Sequence, residues 1–550
     1  LEALLERSLD QPAFKNGPDV RRAEAELDPL RKRLQGLRRR YGRFLARARY
    51  APYLRLYSRL RHALEALERE EGRLHLAAAT RLLLRKLSRQ EIPDIYFRLG
   101  DRIYHYLIDE FQDTSPLQWA VLYPLVEEAL ARGGSLFLVG DTKQAIYGFR
   151  GGDWQIMARM REREVFPSAP ARIEELRYNY RSDGLILEFV RRVFEESVAR
   201  HIQDEAGQNP YLERYWKASG LAAVRQCPLP GREEAGYVRY VRLSESEIEP
   251  ARVGEAIVET LRAAFARGYA WGEMAVLAPR NRDVLQVAAW LAEAGIPSVS
   301  HSSLDVRSRF VTGSLLALLT FLDSPIQDRA FATVLLGPLR PPELSVQEVR
   351  RFLQRNRSRP LYVAFRERYP DLWARYFERL FVRVGYLPLY DLVVEIYQTW
   401  RLLERFPEEG ATWAKLLQVV RRFEESDQGS LRDFLEYAEE ETEDEDWDVP
   451  VAEGLDAVSC MSVHKAKGLE FPFLLVYWPD RPPASDTQYI GPVPPERGSA
   501  AMSLWYLSES VARADPELQA ARDHYRAMGV IDALCRLYVA LTRARHELHC

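Results

Sequence analysis

Apolar and polar positions change texture several times along the chain. Up to about residue 98, apolar residues recur at helical spacing, as in LRRRYGRFLARARYAPYLRLYSRL (37–60). They predict long Arg-rich helices with one clear break, near NGPD (16–19). Basic helical faces of this kind are usually solvated surface, so nucleic-acid contact there is the lesser expectation. A buried apolar strand is then predicted in YHYLIDE (104–110), a helix in PLQWAVLYPLVEEALARGG (116–134), and a second strand in SLFLVGD (135–141). Strand, helix, strand in that order implies a parallel α/β unit with a right-handed crossover.

After about residue 182 the α/β pattern resumes. YVRYVRL (237–243) and MAVLAPR (274–280) read as strands, and VLQVAAWLAEAG (284–295) as a helix closed by Gly295. From about 311 to 435 the spacing is predominantly helical and predicts an inserted domain, ending in an exposed acidic loop at EYAEEETEDEDWD (436–448). AVSCMSV (457–463) and FPFLLVYW (471–478) return to strand texture, and RLYVALTRARHELHC (536–550) reads as helix leading into a final strand. The fold class expected is therefore α/β, with parallel sheets and largely helical insertions.

Composition narrows the function classes. A chain of 550 residues is too long for one core, and 47% hydrophobic with 29% charged residues is ordinary for a globular protein. The net charge of −3 confines any polyanion surface to a local groove. Four Cys with no CxxC spacing give neither a disulfide framework nor a zinc or iron–sulfur site, which fits a reducing cytoplasm. Apolar runs such as LLALLTFL (315–322) are far short of a membrane span, and no signal peptide opens the chain, so no membrane partner is expected.

The chemistry sits at the strand ends, where ligands collect in parallel sheets. Asp109 and Glu110 are suited to holding Mg²⁺ through one carboxylate while the neighbour polarises an attacking water. A bare DE pair is usually a solvated surface feature. Here it ends an apolar strand and precedes Gln112 and Asp113, which add hydrogen-bonding capacity. VGDTKQAIYGFRGGD (139–153) puts Gln144 just past a strand, where an amide could sense a terminal phosphate. Among its glycines stand Tyr147, Phe149 and Arg150, a set suited to stacking on bases beside a backbone phosphate. Alone, such aromatics more often fill a core. RYNYRS offers Tyr180 as a ring for a purine and Arg181 as a charge clamp. MSVHKAKGLEF sets His464, Lys465, Lys467 and Glu470 after a strand, and YVALTRAR supplies Arg543. Only eight residues are Lys, yet Lys143, Lys465 and Lys467 fall inside these motifs.

Together the five motifs resemble, in order and wording, those of superfamily 1 helicases of the UvrD/Rep type. LIDEFQDTS looks like their Walker B motif, VGDTKQAIYGFRG their third, NYRS their fourth, HKAKGLEF their fifth and YVALTRA their sixth. The wording is most similar to the AddA/RecB branch, the helicase subunits of recombinational repair nucleases. The resemblance implies two RecA-like domains with helical insertions, ATP and Mg²⁺ as cofactors, and translocation on DNA, usually 3′ to 5′. Expected partners are single-stranded and duplex-end DNA and a nuclease-bearing subunit. Carried over residue by residue, Asp109 holds the metal, Glu110 activates water, Gln144 couples the γ-phosphate to DNA, and Arg181 and Arg543 are arginine fingers. Tyr180, Lys467 and Glu470 bind the nucleotide, and Tyr147, Phe149, Arg150 and His464 meet DNA. Phe149 replaces the Trp common at that place.

The implied layout is a helical insertion remnant (1–98), the rest of the first RecA-like domain (99–182), the first part of the second (183–310), a helical insert (311–450) and the second part (451–550). One departure stands against these agreements. The phosphate loop GxxxxGK[ST] occurs nowhere in the 550 residues. With Leu1 and Cys550 as its ends, the sequence reads as an internal fragment, inactive by itself. Asp532 also stands where a Glu pair is usual before the sixth motif. The alternative is a helicase-like scaffold subunit that guides DNA without catalysis; Glu110, Gln144, Arg181 and Arg543 argue against it. A regulatory ATPase that binds no nucleic acid is opposed by the aromatic–Arg loop.

Overall fold

The computed structural model describes residues 18–71, 103–162, 166, 169–207, 209–243, 250–300, 305–356, 360–425, 430–439, 447–449, 455–479, 487–491, 493 and 503–550. The chain gathers into two compact units, Leu1–Val241 with Ala466–Cys550, and Arg242–Lys465.

The first unit begins with helices α1 (Pro18–Ala48) and α2 (Ala51–Glu71). They correspond to the predicted Arg-rich helices, but the pattern expected to run unbroken over 37–60 is interrupted by a turn at Arg49–Tyr50. Pro52 supplies the reason, because proline fits the first turn of a new helix and breaks the interior of an old one. The NGPD break coincides with the start of α1 at Pro18. Residues 1–17 and 72–98 of the predicted helical region lie outside the described residues, as does 440–446 of the acidic loop.

Strand β1 (His105–Ile108), helix α3 (Pro116–Ala131) and strand β2 (Ser135–Leu138) form the predicted parallel unit, with His105 opposite Ser135 and Ile108 opposite Leu138. A capping box starts α3: the Ser115 hydroxyl accepts from the Gln118 amide, the Gln118 side chain accepts in return, and Pro116 follows. Tyr106 packs with Val126 and Ala129 of α3. The expectation of a buried strand fails on the other face, where Leu107 is 76% and Phe137 62% exposed. Successive strand residues point to opposite faces, and among the described residues only one face of this two-stranded sheet carries a helix.

Next come α4 (Trp154–Glu162), β3 (Tyr178–Asn179) and α5 (Gly184–Arg192), which runs on through a π-helical turn at Val193–Val198. β3 pairs in parallel with β4 (Cys227–Pro228), and β5 (Tyr237–Arg239) follows.

In the second unit, β6 (Met274–Ala278), α6 (Asn281–Glu293) and β7 (Ser298–Ser300) lead into the helical segment, and Gly295 closes α6 with φ +70°. That segment opens with α7 (Phe310–Asp323), includes α8 (Leu389–Trp400), and buries one apolar cluster from Val306 to Trp447. Beyond it, β8 (Val458–Ser462) lies parallel to both β6 and β7. β6 is buried along its whole length, as expected of a strand inside a parallel sheet.

The chain then returns to the first unit with β9 (Phe471–Val476), the hairpin β10 (Gln488–Gly491) and β11 (Ser503–Tyr506), helix α9 (Pro516–Leu541) and β12 (Ala544–His549). β12 pairs in parallel with β5 on one side and β9 on the other. α1 lies against the hairpin, with Ala46 in the cluster of Tyr489, Trp505 and Leu518 and the Arg47 guanidinium 4.6 Å from the Trp505 ring centre.

Candidate active site

Three chain turns of the first unit, after β1, after β2 and after β3, meet the segment before β9 and the end of α9. Glu110 directly follows Asp109 at the end of β1 and adopts the left-handed conformation (φ 49°, ψ 37°). Only one other described non-glycine residue does so, and the conformation costs about 1–2 kcal/mol. The sharp turn lets the Glu110 amide donate to Asp109 Oδ1 (2.8 Å), and leaves both acidic side chains exposed.

Gln112 anchors this turn from below. It is fully buried; its Nε2 donates to Glu110 Oε2 (2.5 Å) and its Oε1 accepts from the Asp141 amide (3.0 Å). Gly140 makes room for it, since a Cβ there would lie 2.4 Å from Gln112 Oε1. The sequence reading credits Gln112 with spare hydrogen-bonding capacity but misses this bridge. The small residue before Asp141 was the available signal.

After β2, Asp141 caps its turn by accepting from the Lys143 amide (3.1 Å), while Lys143 Nζ approaches the same oxygen at 2.6 Å. Gln144 stands between two partners: its Nε2 donates to Asp141 Oδ2 (3.1 Å) and its Oε1 accepts from Arg543 (3.3 Å). The following loop carries Tyr147, Phe149 and Arg150, with ring centres 6.1 Å apart and the Arg150 guanidinium 5.5 and 5.6 Å from them. Phe149 is 65% exposed, so the core-filling reading does not hold for it.

After β3, Asn179 Oδ1 accepts from the amides of Arg181 and Ser182, and Ser182 Oγ donates to the Ala544 carbonyl (2.6 Å). This clamp aims the Arg181 guanidinium at Glu470 Oε2 (3.3 Å) and the Thr542 carbonyl (3.3 Å), and Arg545 reaches the other Glu470 oxygen at 3.5 Å. Tyr180 is 75% exposed.

Arg543 is almost wholly buried. It donates to the Val539 carbonyl (3.1 Å), Thr542 Oγ1 (2.9 Å) and Gln144. Burial first, and then the neighbouring Arg181 charge, push its pKa down to about 10. Tyr538 beside it has its phenol pushed up by burial. Lys467, also buried, pairs with Asp113 and with Glu110 Oε2 (3.1 Å), and its Nζ lies 5.1 Å from the Tyr147 ring centre. Burial raises the Asp113 carboxyl, Lys467 opposes that, and Glu110 adds to it.

The predicted residues of the first unit thus converge in pairs: Glu110 with Lys467, Gln144 with Arg543, Arg181 with Glu470, and Tyr147 with Phe149, Arg150 and Lys467. His464 belongs to the second unit, half-buried in the turn after β8, where Lys465 pairs with Asp448 at 2.8 Å. Asp532, on α9, pairs with Arg536 one helical turn on (3.4 Å).

Asp109 fits an Mg²⁺ ion that takes one carboxylate and completes its shell from phosphates and water. Among the described residues no cluster of three or more His, Cys, Asp or Glu forms a metal cage by itself. The cationic groups Arg181 and Arg543 beside Gln144 fit a polyphosphate.

Residues 41–164 match the UvrD/REP helicase N-terminal domain. The chain is 27% identical over 433 residues to an ATP-dependent helicase/nuclease subunit of Streptococcus pneumoniae (serotype 2, strain D39), covering 70% of this chain and 34% of that protein. Its counterpart in Levilactobacillus brevis is 25% identical over 507 residues, covering 82% and 39%. The RecBCD enzyme subunit RecB of Mycobacterium tuberculosis is 32% identical over 281 residues, covering 48% and 25%. The chain therefore spans between a quarter and two fifths of the length of these relatives. With the parallel strands and helical segments described above, the fold is α/β and RecA-like, with largely helical insertions.

Proposed function

We propose that this chain, UvrD-like and of the AddA/RecB helicase–nuclease branch, forms the motor of a DNA helicase that hydrolyses ATP and moves 3′ to 5′ in DNA repair or recombination. The observation that carries the reading is the Asp141–Gln144–Arg543 relay beside Glu110. One amide bridges an acidic turn and a buried arginine, and the same turn leads into the exposed aromatic–Arg loop.

When bound, Mg·ATP supplies the phosphoryl group and the metal charge that a phosphoryl transfer needs. Asp109 holds the metal, and Glu110 orients the attacking water and takes its proton. Arg181 and Arg543 neutralise charge that develops on the transferring group. Tyr180 offers its exposed ring to the adenine. Glu470 reaches the ribose after giving up one of its two arginines, and Lys467 steadies the acidic turn. Gln144 senses the terminal phosphate and passes its occupancy to the loop, where Tyr147, Phe149 and Arg150 engage bases and backbone. His464 adds a second DNA contact. The working complex includes a nuclease-bearing partner, and the protein acts in the cytoplasm. Among the described residues no helix is long and apolar enough to cross a membrane.

The test is ATP hydrolysis with and without single-stranded DNA, on this chain alone and on the whole product of its native gene. DNA-stimulated turnover that disappears in Glu110→Gln, with DNA binding retained, supports the motor. DNA binding without turnover in either form supports the scaffold in its place.

A further inference from the structure

We infer that Arg545 is a positioning residue for Glu470: it holds that carboxylate toward the ribose once Arg181 has left it for a phosphate, and so makes the site select nucleotides that carry ribose hydroxyls. The inference rests on the motor reading and gives its nucleotide site a specificity. Motif wording assigns Arg543 a role and leaves Arg545, on the same motif, without one. Yet Glu470 stands between two arginines, with Arg181 Nε 3.3 Å from Oε2 and an Arg545 nitrogen 3.5 Å from Oε1. The Glu470 side chain is 45% exposed, so ion pairs rather than packing fix its direction.

The fold carries Arg545 and Glu470 on one strand pair. Phe471, next to Glu470, lies opposite Ala544, next to Arg545, and the Phe471 amide donates to the Arg543 carbonyl (2.9 Å). Between Ala544 and Glu547 the register of β9 and β12 shifts, an irregularity of the kind that re-aims a side chain beside an active site. The shifted segment is tied from its other side, where the Ser182 hydroxyl donates to the Ala544 carbonyl (2.6 Å) and the Asp183 amide to the Arg545 carbonyl (2.9 Å). Arg545 thus has a fixed backbone, and among the described residues its side chain has one ion-pair partner, Glu470.

The two arginines are not equivalent. Arg181 and the buried Arg543 are neighbouring like charges, and a polyphosphate that neutralises both competes with Glu470 for Arg181. When Arg181 turns to the phosphate, Glu470 Oε2 is released. Arg545 retains Oε1, so the carboxylate keeps a cation and its direction, with Oε2 open to a donor. An ionised carboxylate accepts hydrogen bonds and donates none, which suits it to the hydroxyls of a ribose. Without Arg545 the same carboxylate follows Arg181 or turns to water, and the hydroxyls lose their acceptor.

The experiment measures binding of ADP and of 2′,3′-dideoxyADP, with Mg²⁺, to the whole product of the native gene by titration calorimetry. Wild type is expected to bind ADP about 10-fold more tightly than the dideoxy nucleotide, the effect of one hydrogen bond to a charged group. In Arg545→Ala the two affinities become equal through loss of ADP binding alone, and Arg545→Lys retains the preference. The thermal midpoint stays at the wild-type value, because so exposed an ion pair contributes little to stability. Arg545→Gln, which keeps much of the stem and loses the charge, carries the same expectation where the Ala variant fails to fold. A preference kept in Arg545→Ala but lost in Glu470→Ala overturns the inference and leaves the ribose contact standing. Equal weakening of both nucleotides in Arg545→Ala also overturns it, because the arginine then serves the phosphates. No preference in wild type, or one that survives Glu470→Ala, overturns the inference together with the ribose role of Glu470 but not the motor. Wild-type protein that binds neither nucleotide overturns the motor reading and the inference with it.

Discussion

The helical body from Val306 to Trp447 and the polar site around Glu110 are built on opposite terms. In the helical body, apolar side chains fill one contiguous cluster whose rings meet in both edge-to-face and stacked pairs, as Phe377 does with Phe331 and with Trp373. Its buried polar atoms are used sparingly: the Trp400 indole donates to the Leu339 carbonyl at 2.6 Å. In the site, a buried lysine and a buried amide hold a left-handed glutamate in place, and a buried arginine holds Gln144. Packing stabilises the first region; the second is held by hydrogen-bond and ion-pair partners. Stability and chemistry are thus drawn from separate parts of the chain, as expected where an active site breaks local rules that the rest obeys.

The sharpest way to press this contrast is to cut into the packed region. Trp400 is 1% exposed and touches the rings of Tyr376 and Phe377. Trp400→Ala is expected to cost about 3–5 kcal/mol through lost contacts and the cavity left behind. Urea unfolding followed by circular dichroism checks it. A cost under about 1 kcal/mol, the range of a surface substitution, would mean that the helical body is not the stable region.

The opposite sign is expected in the site. Arg543 is a buried cation whose hydrogen bonds go to neutral oxygens, and whose depressed pKa reports that burial disfavours its charge. Replacing buried ionic groups by apolar residues of similar size is often neutral or stabilising, by about 1–4 kcal/mol. Arg543→Met is therefore expected to raise the unfolding midpoint while abolishing DNA-stimulated ATP turnover. A lowered midpoint would show that the site contributes to stability as the helical body does, and the contrast would collapse.

The same contrast sets what was legible in the sequence. Periodicity found α3, α6 and α7, and apolar runs between turn signals found β2, β6, β8 and β9, because burial on a fixed period leaves a pattern. The motif wording found the residues that pair in the site. Their partners stayed hidden, since Lys467 and Asp113 are 354 positions apart and Gln144 and Arg543 are 399 apart. The fit of Gln112 against Gly140 is a matter of ångströms that no spacing encodes. Leu107 and Phe137 misled for a related reason: alternation says that a residue lies on a face, not whether anything covers that face.

The smallest effects compare the two left-handed non-glycine residues among those described, one in each region. Arg401 closes α8 with φ 49°, and its pairing with Glu404 is long (3.8 Å) and about three-quarters exposed at both ends. A helix end of this kind favours glycine, and so exposed an ion pair contributes little. Arg401→Gly is expected to gain about 0.5–1 kcal/mol. Glu110 has the same φ, so the strain relieved by Glu110→Gly is similar. There, however, the change leaves the buried Gln112 amide and the Lys467 ammonium each with one acceptor fewer. The net effect should fall below that of Arg401→Gly, with a midpoint at or under wild type. If the two substitutions gain equally, Gln112 and Lys467 do not hold Glu110 in solution, and the strain at that turn is merely tolerated.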